Sequence, residues 1–190
     1  MARIVVTGAP GAGKTTLLLA LQARGHPIVS DSARSIIQDR RRRGLSPRPD
    51  PSAFSQETLR MDIENFARHA ASQGHVFFER GVLDALCGID RVTPLSESEL
   101  RIWLSKYQYF PGVFVLPPWR AIFVNDAERD HTFEHAVWVN GITQAWYRRC
   151  GYEVLEVPMV SVDERCSIVL QALANSDASS GSRTHSFRRH

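Results

Sequence analysis

The chain has 190 residues, of which 43% are hydrophobic and 23% are charged, and its formal net charge is +3. These values are typical of a single soluble globular domain that is large enough to bury a core. No segment has the apolar length that spans a bilayer, and no signal-peptide core precedes the first strand. We therefore expect a cytoplasmic protein with no membrane partner. The three cysteines are far apart and odd in number, which favours reduced thiols over a disulfide framework or a zinc site.

Short apolar runs alternate with helical patterns along the first half of the chain. An apolar run that ends in a glycine-rich loop is typical of a buried parallel strand. Three prolines within five residues favour a loop. The predicted elements are, in order, a strand at 3–7, a helix at 14–24, a strand at 27–30, a helix at 32–43, a loop at 44–51, a helix from 54 that stops at Gly74, and a strand at 75–79.

The second half of the chain continues this alternation and contains two helix-start patterns. Ser96 precedes Glu99, and Ser161 precedes Glu164, at the spacing of a capping box. The further predicted elements are a helix from about 82, a helix from 96, a strand at 113–116, a helix that runs to 150, a strand at 152–157 and a last helix that ends near 175.

The segment after the first strand has the pattern G-x-x-x-x-G-K-T. In this pattern backbone N–H groups turn toward a phosphate, Lys14 reaches the β- and γ-phosphates, and Thr15 offers a hydroxyl to Mg²⁺. The required context is present, because a strand precedes the loop and a helix follows it. The sequence therefore predicts a nucleotide-phosphate site formed by Gly8, Ala9, Pro10, Gly11, Ala12, Gly13, Lys14, Thr15 and Thr16.

The order of elements predicts an α/β fold with helices on both faces of a parallel sheet of about five strands. With the glycine loop, this is the three-layer fold of P-loop NTPases. We predict one P-loop kinase-like domain over residues 1–175, with a lid-like segment at 117–131. The polar, low-complexity residues 176–190 are predicted to form a disordered tail.

A glycine loop of this kind occurs in GTPases, mechanical ATPases and kinases. Neither lysine lies in the Asn-Lys-x-Asp setting with which GTPases recognise guanine, and the third strand does not lead into Asp-x-x-Gly. A chain of 190 residues is also too short for the lid domain and arginine finger of a ring-forming motor. These features favour phosphoryl transfer to a small-molecule acceptor. A nucleotide-binding regulatory or switch protein without such an acceptor is the alternative.

Charged residues follow two further strands at the edge of the sheet where ligands bind in open α/β folds. The second predicted strand leads into Asp31 and Arg34, and the third ends at Glu79 and Arg80. Asp31 is our candidate for the base that accepts the proton of an acceptor hydroxyl. Arg34 and Arg80 are candidates for binding an anionic part of the acceptor or for neutralising transition-state charge. Glu79 is placed to position Mg²⁺ or its water shell.

Each of these residues also has an ordinary structural interpretation, which the sequence leaves open. Asp31 could simply cap the second helix, since aspartate is a favoured N-cap residue. Glu79 and Arg80 could form a structural ion pair with each other.

The lid-like segment contains two arginines, Arg120 and Arg129, around a helix start at Asn125 and Asp126. Lid arginines close over a transferring phosphate and keep water out. We predict nucleotide binding for Arg120 and a catalytic role for Arg129, with ordinary surface arginines as the alternative. The basic run at residues 40–43 is more typical of a solvated helix end than of a nucleic-acid contact, so nucleic acid is an unlikely partner.

On these residues the chain resembles the bacterial "predicted ATPase" family of short AAA-type P-loop proteins. That family is similar to the kinase domain that acts on nicotinamide riboside and, more distantly, to nucleotide and deoxynucleoside kinases. The resemblance covers about residues 3–170. The matching segments are TGAPGAGKTTLL, SDSAR, FFERGVLDAL, VFVLPPWRAIFVNDAER, GYEVLEVP and SVDER.

The resemblance implies ATP and Mg²⁺ as ligands at Gly8, Gly13, Lys14 and Thr15. It also implies that the P-loop fold has the nucleotide-kinase-like form. In deoxynucleoside kinases an acid after the second strand is the base, and a Glu-Arg pair follows the third strand, which Asp31 and residues 79–80 match. In nucleoside monophosphate kinases two arginines at similar places hold the acceptor phosphate, a pattern that this chain fits equally well. Family members have Glu more often than Asp at the position of Asp31. The identity of the acceptor and the oligomeric state stay open.

Overall fold

The computed structural model describes residues 2–47, 50–123 and 132–183. Five strands form one sheet in the order β2-β3-β1-β4-β5, and every neighbouring pair is parallel. This confirms the predicted α/β class and the predicted number of strands. The strands are β1 (Arg3–Gly8), β2 (Ile28–Val29), β3 (Val76–Glu79), β4 (Gly112–Leu116) and β5 (Glu153–Glu156).

Seven α-helices connect or flank these strands in the described part of the chain. Both predicted capping boxes are present, since the backbone N–H of Glu99 donates to Ser96 and that of Glu164 donates to Ser161, each at 3.3 Å. The helices are α1 (Lys14–Ala23), α2 (Ser32–Arg42), α3 (Pro51–Arg68), α4 (Val82–Asp90), α5 (Glu97–Lys106), α6 (Phe133–Arg149) and α7 (Val162–Arg183).

Three helix boundaries differ clearly from the sequence-based predictions. Helix α3 ends at Arg68, ahead of the stop predicted at Gly74. Pro51, which was expected in a loop, is the first residue of α3. Proline is tolerated there because the first N–H groups of a helix have no partner within the helix. Asp50 caps this end by accepting a hydrogen bond from Ala53 N at 2.9 Å. Helix α7 continues to Arg183, past the end predicted near Asn175, and so includes part of the segment predicted to be disordered.

The strands alternate their side chains between two apolar layers. In β1, Val5 faces a cluster that includes Phe78 of β3 and Trp146 of α6. Its neighbours Ile4 and Val6 face the opposite cluster, which contains residues of α1 and α7. The sheet is therefore covered on both faces, as parallel sheets require.

This arrangement brings the carboxyl ends of β1, β2 and β3 together. The glycine loop, residues 8–15, follows β1; Asp31 follows β2; and Arg80 follows β3. Because β1 is the central strand, the loop lies between the segments that follow its two neighbours. No helix within the described ranges is both long and apolar enough to cross a membrane.

Candidate functional site

The glycine loop packs tightly against the end of β4. Gly8 has a φ of +117°, and a Cβ atom there would stand 2.3 Å from the backbone oxygen of Leu116, so only glycine fits. Gly13 has a φ of +85° immediately before α1 begins at Lys14. The loop thus ends at a helix N-terminus, where unpaired N–H groups can bind an anion.

Lys14 is buried and held by the loop itself. Its ammonium donates to the carbonyl oxygens of Gly8 at 3.2 Å and Ala9 at 2.8 Å. Burial, followed by the positive charge of Arg80, lowers the pKa of Lys14 to about 8. The amine therefore lies inside the loop, where it would contact phosphate oxygens. The negative charge of those oxygens would raise its pKa.

Thr15 and Glu79 form a hydroxyl–carboxylate pair beside the loop. The Thr15 hydroxyl lies 2.9 Å from each carboxylate oxygen of Glu79 and donates to them. Hydroxyl and carboxylate oxygens are hard ligands of the kind that Mg²⁺ prefers, with phosphate oxygens and water completing its shell. The donor set fits the predicted metal. Thr16, the next residue of the predicted site, is exposed.

Asp31 combines the two roles that the sequence left open. Its Oδ1 accepts from the backbone N–H groups of Ala33 at 2.9 Å and Arg34 at 3.4 Å, so it does cap α2. Its Oδ2 accepts from the guanidinium of Arg80 at 3.0 Å. The carboxylate is nearly buried and is held in one orientation by contacts to both oxygens.

Arg80 is the partner of Asp31 and not of Glu79, which rules out the simple Glu79–Arg80 pair that we considered. Its backbone has a φ of +63°, the left-handed region that non-glycine residues avoid at a cost of about 1 kcal/mol. The backbone N–H of Arg80 donates to Val6 O at 3.0 Å, which holds this turn against β1. Burial alone would lower the pKa of Arg80, but the surrounding carboxylates, led by Asp31, raise it above its usual value.

A cavity of about 370 Å³ opens next to the glycine loop. Polar and charged groups from the loop and the strand ends form one part of its wall, and apolar side chains of α2, α3 and α6 form another. The charged side chains of the wall are Lys14, Asp31, Arg34, Asp62, Glu79, Arg80, Asp84 and Arg91, and its apolar side chains include Ile37, Phe54, Trp138, Ile142 and Trp146.

The predicted residues of the strand ends thus lie around one space. Lys14, Asp31, Arg34, Glu79 and Arg80 all line this cavity. The structure brings them together from the glycine loop and from the segments after β2 and β3. Their chemical roles stay predictions.

The lid-like segment does not bring Arg120 to this cavity. Arg120 lies on a short 3₁₀ turn, Arg120–Ile122, and is exposed, with its guanidinium 3.1 Å from Glu134 and over the ring of Phe133. The role of Arg120 in nucleotide binding stays a prediction. Arg129, Asn125 and Asp126 lie outside the described residues.

Three charged residues at or near the site were not predicted from the sequence. Asp84 accepts from the Thr7 and Tyr147 hydroxyls at 2.5 and 2.7 Å, and burial raises its pKa. Asp62, on α3, lines the cavity next to these groups. Arg165 donates to Ala12 O at 3.2 Å and lies over Trp119 beside the glycine loop. Polar residues within apolar helix faces were the only sequence pattern that marked Asp62 and Asp84.

Comparison with protein families matches most of the chain to one model. The model described as AAA domain matches residues 3–165. A search of curated protein sequences gives no significant match.

Solved structures of two small-molecule kinases and of one nucleotide-bound protein have similar folds at low sequence identity. Deoxyadenosine kinase from M. mycoides with bound dATP has a TM-score of 0.61 and 13% identity, over 92% of this chain and 100% of that one. The YorR protein of Bacillus subtilis in complex with phosphorylated GDP gives 0.59 and 13%, over 93% and 98%. Shikimate kinase from Acinetobacter baumannii in complex with shikimate gives 0.56 and 16%, over 93% and 94%. These similarities show a P-loop kinase fold.

Proposed function

We propose that this chain, which belongs to the AAA domain family, is a phosphotransferase that passes the γ-phosphoryl group of ATP to a small-molecule acceptor. The acceptor would be a nucleoside, a nucleotide or a related metabolite. One observation carries the proposal: the cavity beside the glycine loop is shared by Lys14, Asp31 and Arg80. A protein that only hydrolyses nucleotide needs room for water, whereas this space is large enough for a second small molecule.

At the phosphate end, the chain's own groups bind and neutralise charge. Backbone N–H groups of the glycine loop would bind the β- and γ-phosphates, and the Lys14 ammonium would exchange its two carbonyl partners for phosphate oxygens. The exchange favours the charged amine, because anionic oxygens attract it more strongly than carbonyl dipoles do. Lys14 would thereby offset the charge that builds up during transfer.

Thr15 and Glu79 would hold Mg²⁺, which supplies Lewis-acid neutralisation of the phosphate oxygens when bound. The hydroxyl and the carboxylate already face each other at 2.9 Å, so no main-chain change is needed to present both oxygens to one ion. Glu79 is fixed at the end of β3, which keeps its carboxylate close to the start of α1.

At the acceptor end, Asp31 would orient the acceptor hydroxyl and accept its proton. Helix capping and the contact with Arg80 fix this carboxylate. Its Oδ1 already accepts two backbone hydrogen bonds, whereas Oδ2, which accepts from Arg80, retains a lone pair for the acceptor hydroxyl. Arg80 would stabilise the charge that develops on the transferred group, and Arg34 would bind the acceptor beside it. Arg129 would be a further charge-neutralising group.

The test is product analysis with γ-labelled ATP and Mg²⁺ against a panel of nucleosides and their monophosphates. We expect label in a phosphorylated acceptor, and we expect Lys14→Met to abolish it. Lys106→Met, which replaces an exposed lysine at the end of α5, is the matched control and should transfer normally. Label found only in free phosphate across the panel would instead favour a regulatory or switch nucleotidase.

A further inference from the structure

The cavity wall on α3 contains a carboxyl group that the mechanism above does not use. Asp62 is only 6% exposed, and its Oδ1 accepts from the Ser32 hydroxyl at 2.5 Å. Ser32 in turn accepts from the Asn65 amide at 3.2 Å, which fixes its hydroxyl toward Asp62. Among the residues that the structure describes, none donates a hydrogen bond to Oδ2 of Asp62.

A buried carboxyl with one hydrogen bond is costly to the folded state, so its position needs an explanation. The charged groups that face it are Asp84 on α4, Asp31 before α2 and Arg80 after β3. Arg80, the one cation of this set, is already 3.0 Å from Asp31. Asp62 therefore has no ion-pair partner in the described part of the chain, and burial raises its pKa to about 7. A ligand that donates to Oδ2 would supply the missing partner.

The surrounding charges distinguish a hydroxyl acceptor from a phosphate acceptor. Besides Asp62, three carboxyl groups line the cavity: Asp31, Glu79 and Asp84. An acceptor phosphate would bring two negative charges next to these groups, whereas hydroxyls would donate to them.

The cations of the cavity have other tasks. Lys14 belongs to the glycine loop, Arg80 is paired with Asp31, and Arg91 packs over the ring of Trp138 at 4.4 Å. Arg34 also has an interaction partner within the protein. Arg34, which is proposed above to bind the acceptor, is a single cation among the carboxyl groups of Asp31, Asp62, Glu79 and Asp84, so the charge of this wall favours an acceptor without a phosphate.

The other part of the wall indicates what the rest of the acceptor looks like. Its apolar side chains lie on three helices, α2, α3 and α6. Apolar and aromatic side chains in a ligand pocket pack against rings, while a few convergent polar groups orient the ligand. The side chains are Ile37, Phe54, Ile142 and Trp146.

We infer that Asp62 binds the acceptor, and that the acceptor is an uncharged, ring-bearing polyhydroxy compound of the nucleoside class. Oδ2 of Asp62 accepts a hydrogen bond from a second hydroxyl of this compound, one that is not phosphorylated. The site therefore takes hydroxyl acceptors rather than phosphate acceptors. The inference rests on the proposed kinase function. In the reaction one acceptor oxygen forms a bond to the γ-phosphorus, the bond from that phosphorus to the β,γ-bridging oxygen breaks, and ADP leaves. The hydroxyl proton passes to Asp31.

The experiment compares acceptors that differ by one group, on the full chain with labelled ATP and Mg²⁺. Adenosine and cytidine are each tested beside their 5′-monophosphates and their 2′-deoxy and 3′-deoxy forms. The variants are Asp62→Asn, which keeps the size of the side chain, and Glu64→Gln on the same helix. Glu64 is exposed and pairs with Arg60, so it is the matched control. Thermal melting checks that each variant is folded.

We expect label on a nucleoside hydroxyl and a KM for that nucleoside that rises roughly 10- to 100-fold in Asp62→Asn, with a smaller change in kcat. With wild-type protein, one deoxy form should have a KM that is higher than that of its parent nucleoside by a similar factor, because it lacks the hydroxyl that donates to Asp62. The KM of that deoxy form should not rise further in Asp62→Asn. Glu64→Gln should match the wild type. The comparison of deoxy forms on wild-type protein needs no variant, so it holds even if Asp62→Asn does not fold.

Two results would overturn the inference and leave the kinase proposal standing. One is label transferred to monophosphates in preference to nucleosides. The other is a KM unchanged by Asp62→Asn, with every deoxy form used as well as its parent. Label confined to free phosphate would overturn both the inference and the proposed function.

Discussion

Replacing Asp62 by asparagine should remove a pH-dependent loss of stability. The carboxyl has a pKa of about 7 in the folded protein and an ordinary value of 3.8. Between these values the folded state holds a proton that the unfolded state has released, so the stability of the wild type falls as pH rises through this window. Asparagine does not titrate and can still accept from Ser32, so the variant should lack this loss.

The size of the effect follows from the same two pKa values. Each pKa unit is worth about 1.4 kcal/mol, so the full shift from 3.8 to about 7 corresponds to about 4 kcal/mol. Most of this change in the free energy of unfolding, about 3 kcal/mol, falls between pH 4.5 and pH 8. For a domain of this size that difference moves the melting temperature by about 6 to 12 °C.

The assay is urea unfolding or thermal melting of wild type, Asp62→Asn and the control Glu64→Gln at several pH values. The stability of Asp62→Asn relative to wild type should grow from pH 4.5 to pH 7 and stay constant above pH 8. Glu64 is exposed, and its variant should follow the wild-type curve. Parallel curves for Asp62→Asn and wild type would refute the reasoning, because they would mean that Asp62 is ionised in the folded protein throughout this range.

Three other predictions test the glycine loop and the proposed base. In a urea titration, Gly8→Ala should lower the free energy of unfolding by roughly 3 kcal/mol or more, because the added Cβ would lie 2.3 Å from a backbone oxygen. The control is Gly25→Ala, where φ is +89° but the space around the Cβ is open, and it should lower the free energy of unfolding by only about 1 kcal/mol. Equal losses would contradict the packing argument. The pKa of Lys14 is about 8, so the amine loses its charge above this pH, and ATP affinity measured by isothermal titration should fall as pH rises from 8 to 9.5. Lys14→Met should bind ATP weakly at every pH. Wild-type ATP affinity in that variant would exclude the proposed contact between Lys14 and phosphate. Asp31→Asn should keep the cap of α2, since asparagine caps helices equally well, but should lower the free energy of unfolding by removing the ion pair with Arg80. Transfer should fall roughly 100-fold or more. Unchanged transfer would leave Asp31 with its two structural roles, the helix cap and the ion pair with Arg80.

Local patterns were sufficient to predict the architecture. Apolar runs, capping boxes and the glycine loop each involve residues close in sequence, so the five parallel strands and the start of α1 could be predicted directly. Helix ends were less certain, because Pro51 is compatible with both a loop and a first helical position. The polar composition of the C-terminal segment likewise did not reveal that α7 reaches Arg183.

The partners of the charged side chains were decided only by tertiary structure. Asp31 and Arg80 are 49 positions apart, and their contact depends on β2 and β3 being neighbours in the sheet and on the left-handed turn at Arg80. Chain order suggested Glu79 as the partner of Arg80, but adjacent residues at a strand end point in different directions. In the same way, only the packing of α3 against α4 places Asp62 in the cavity. Residue types and their spacing thus determined which elements form, while side-chain direction and strand order determined which charges meet.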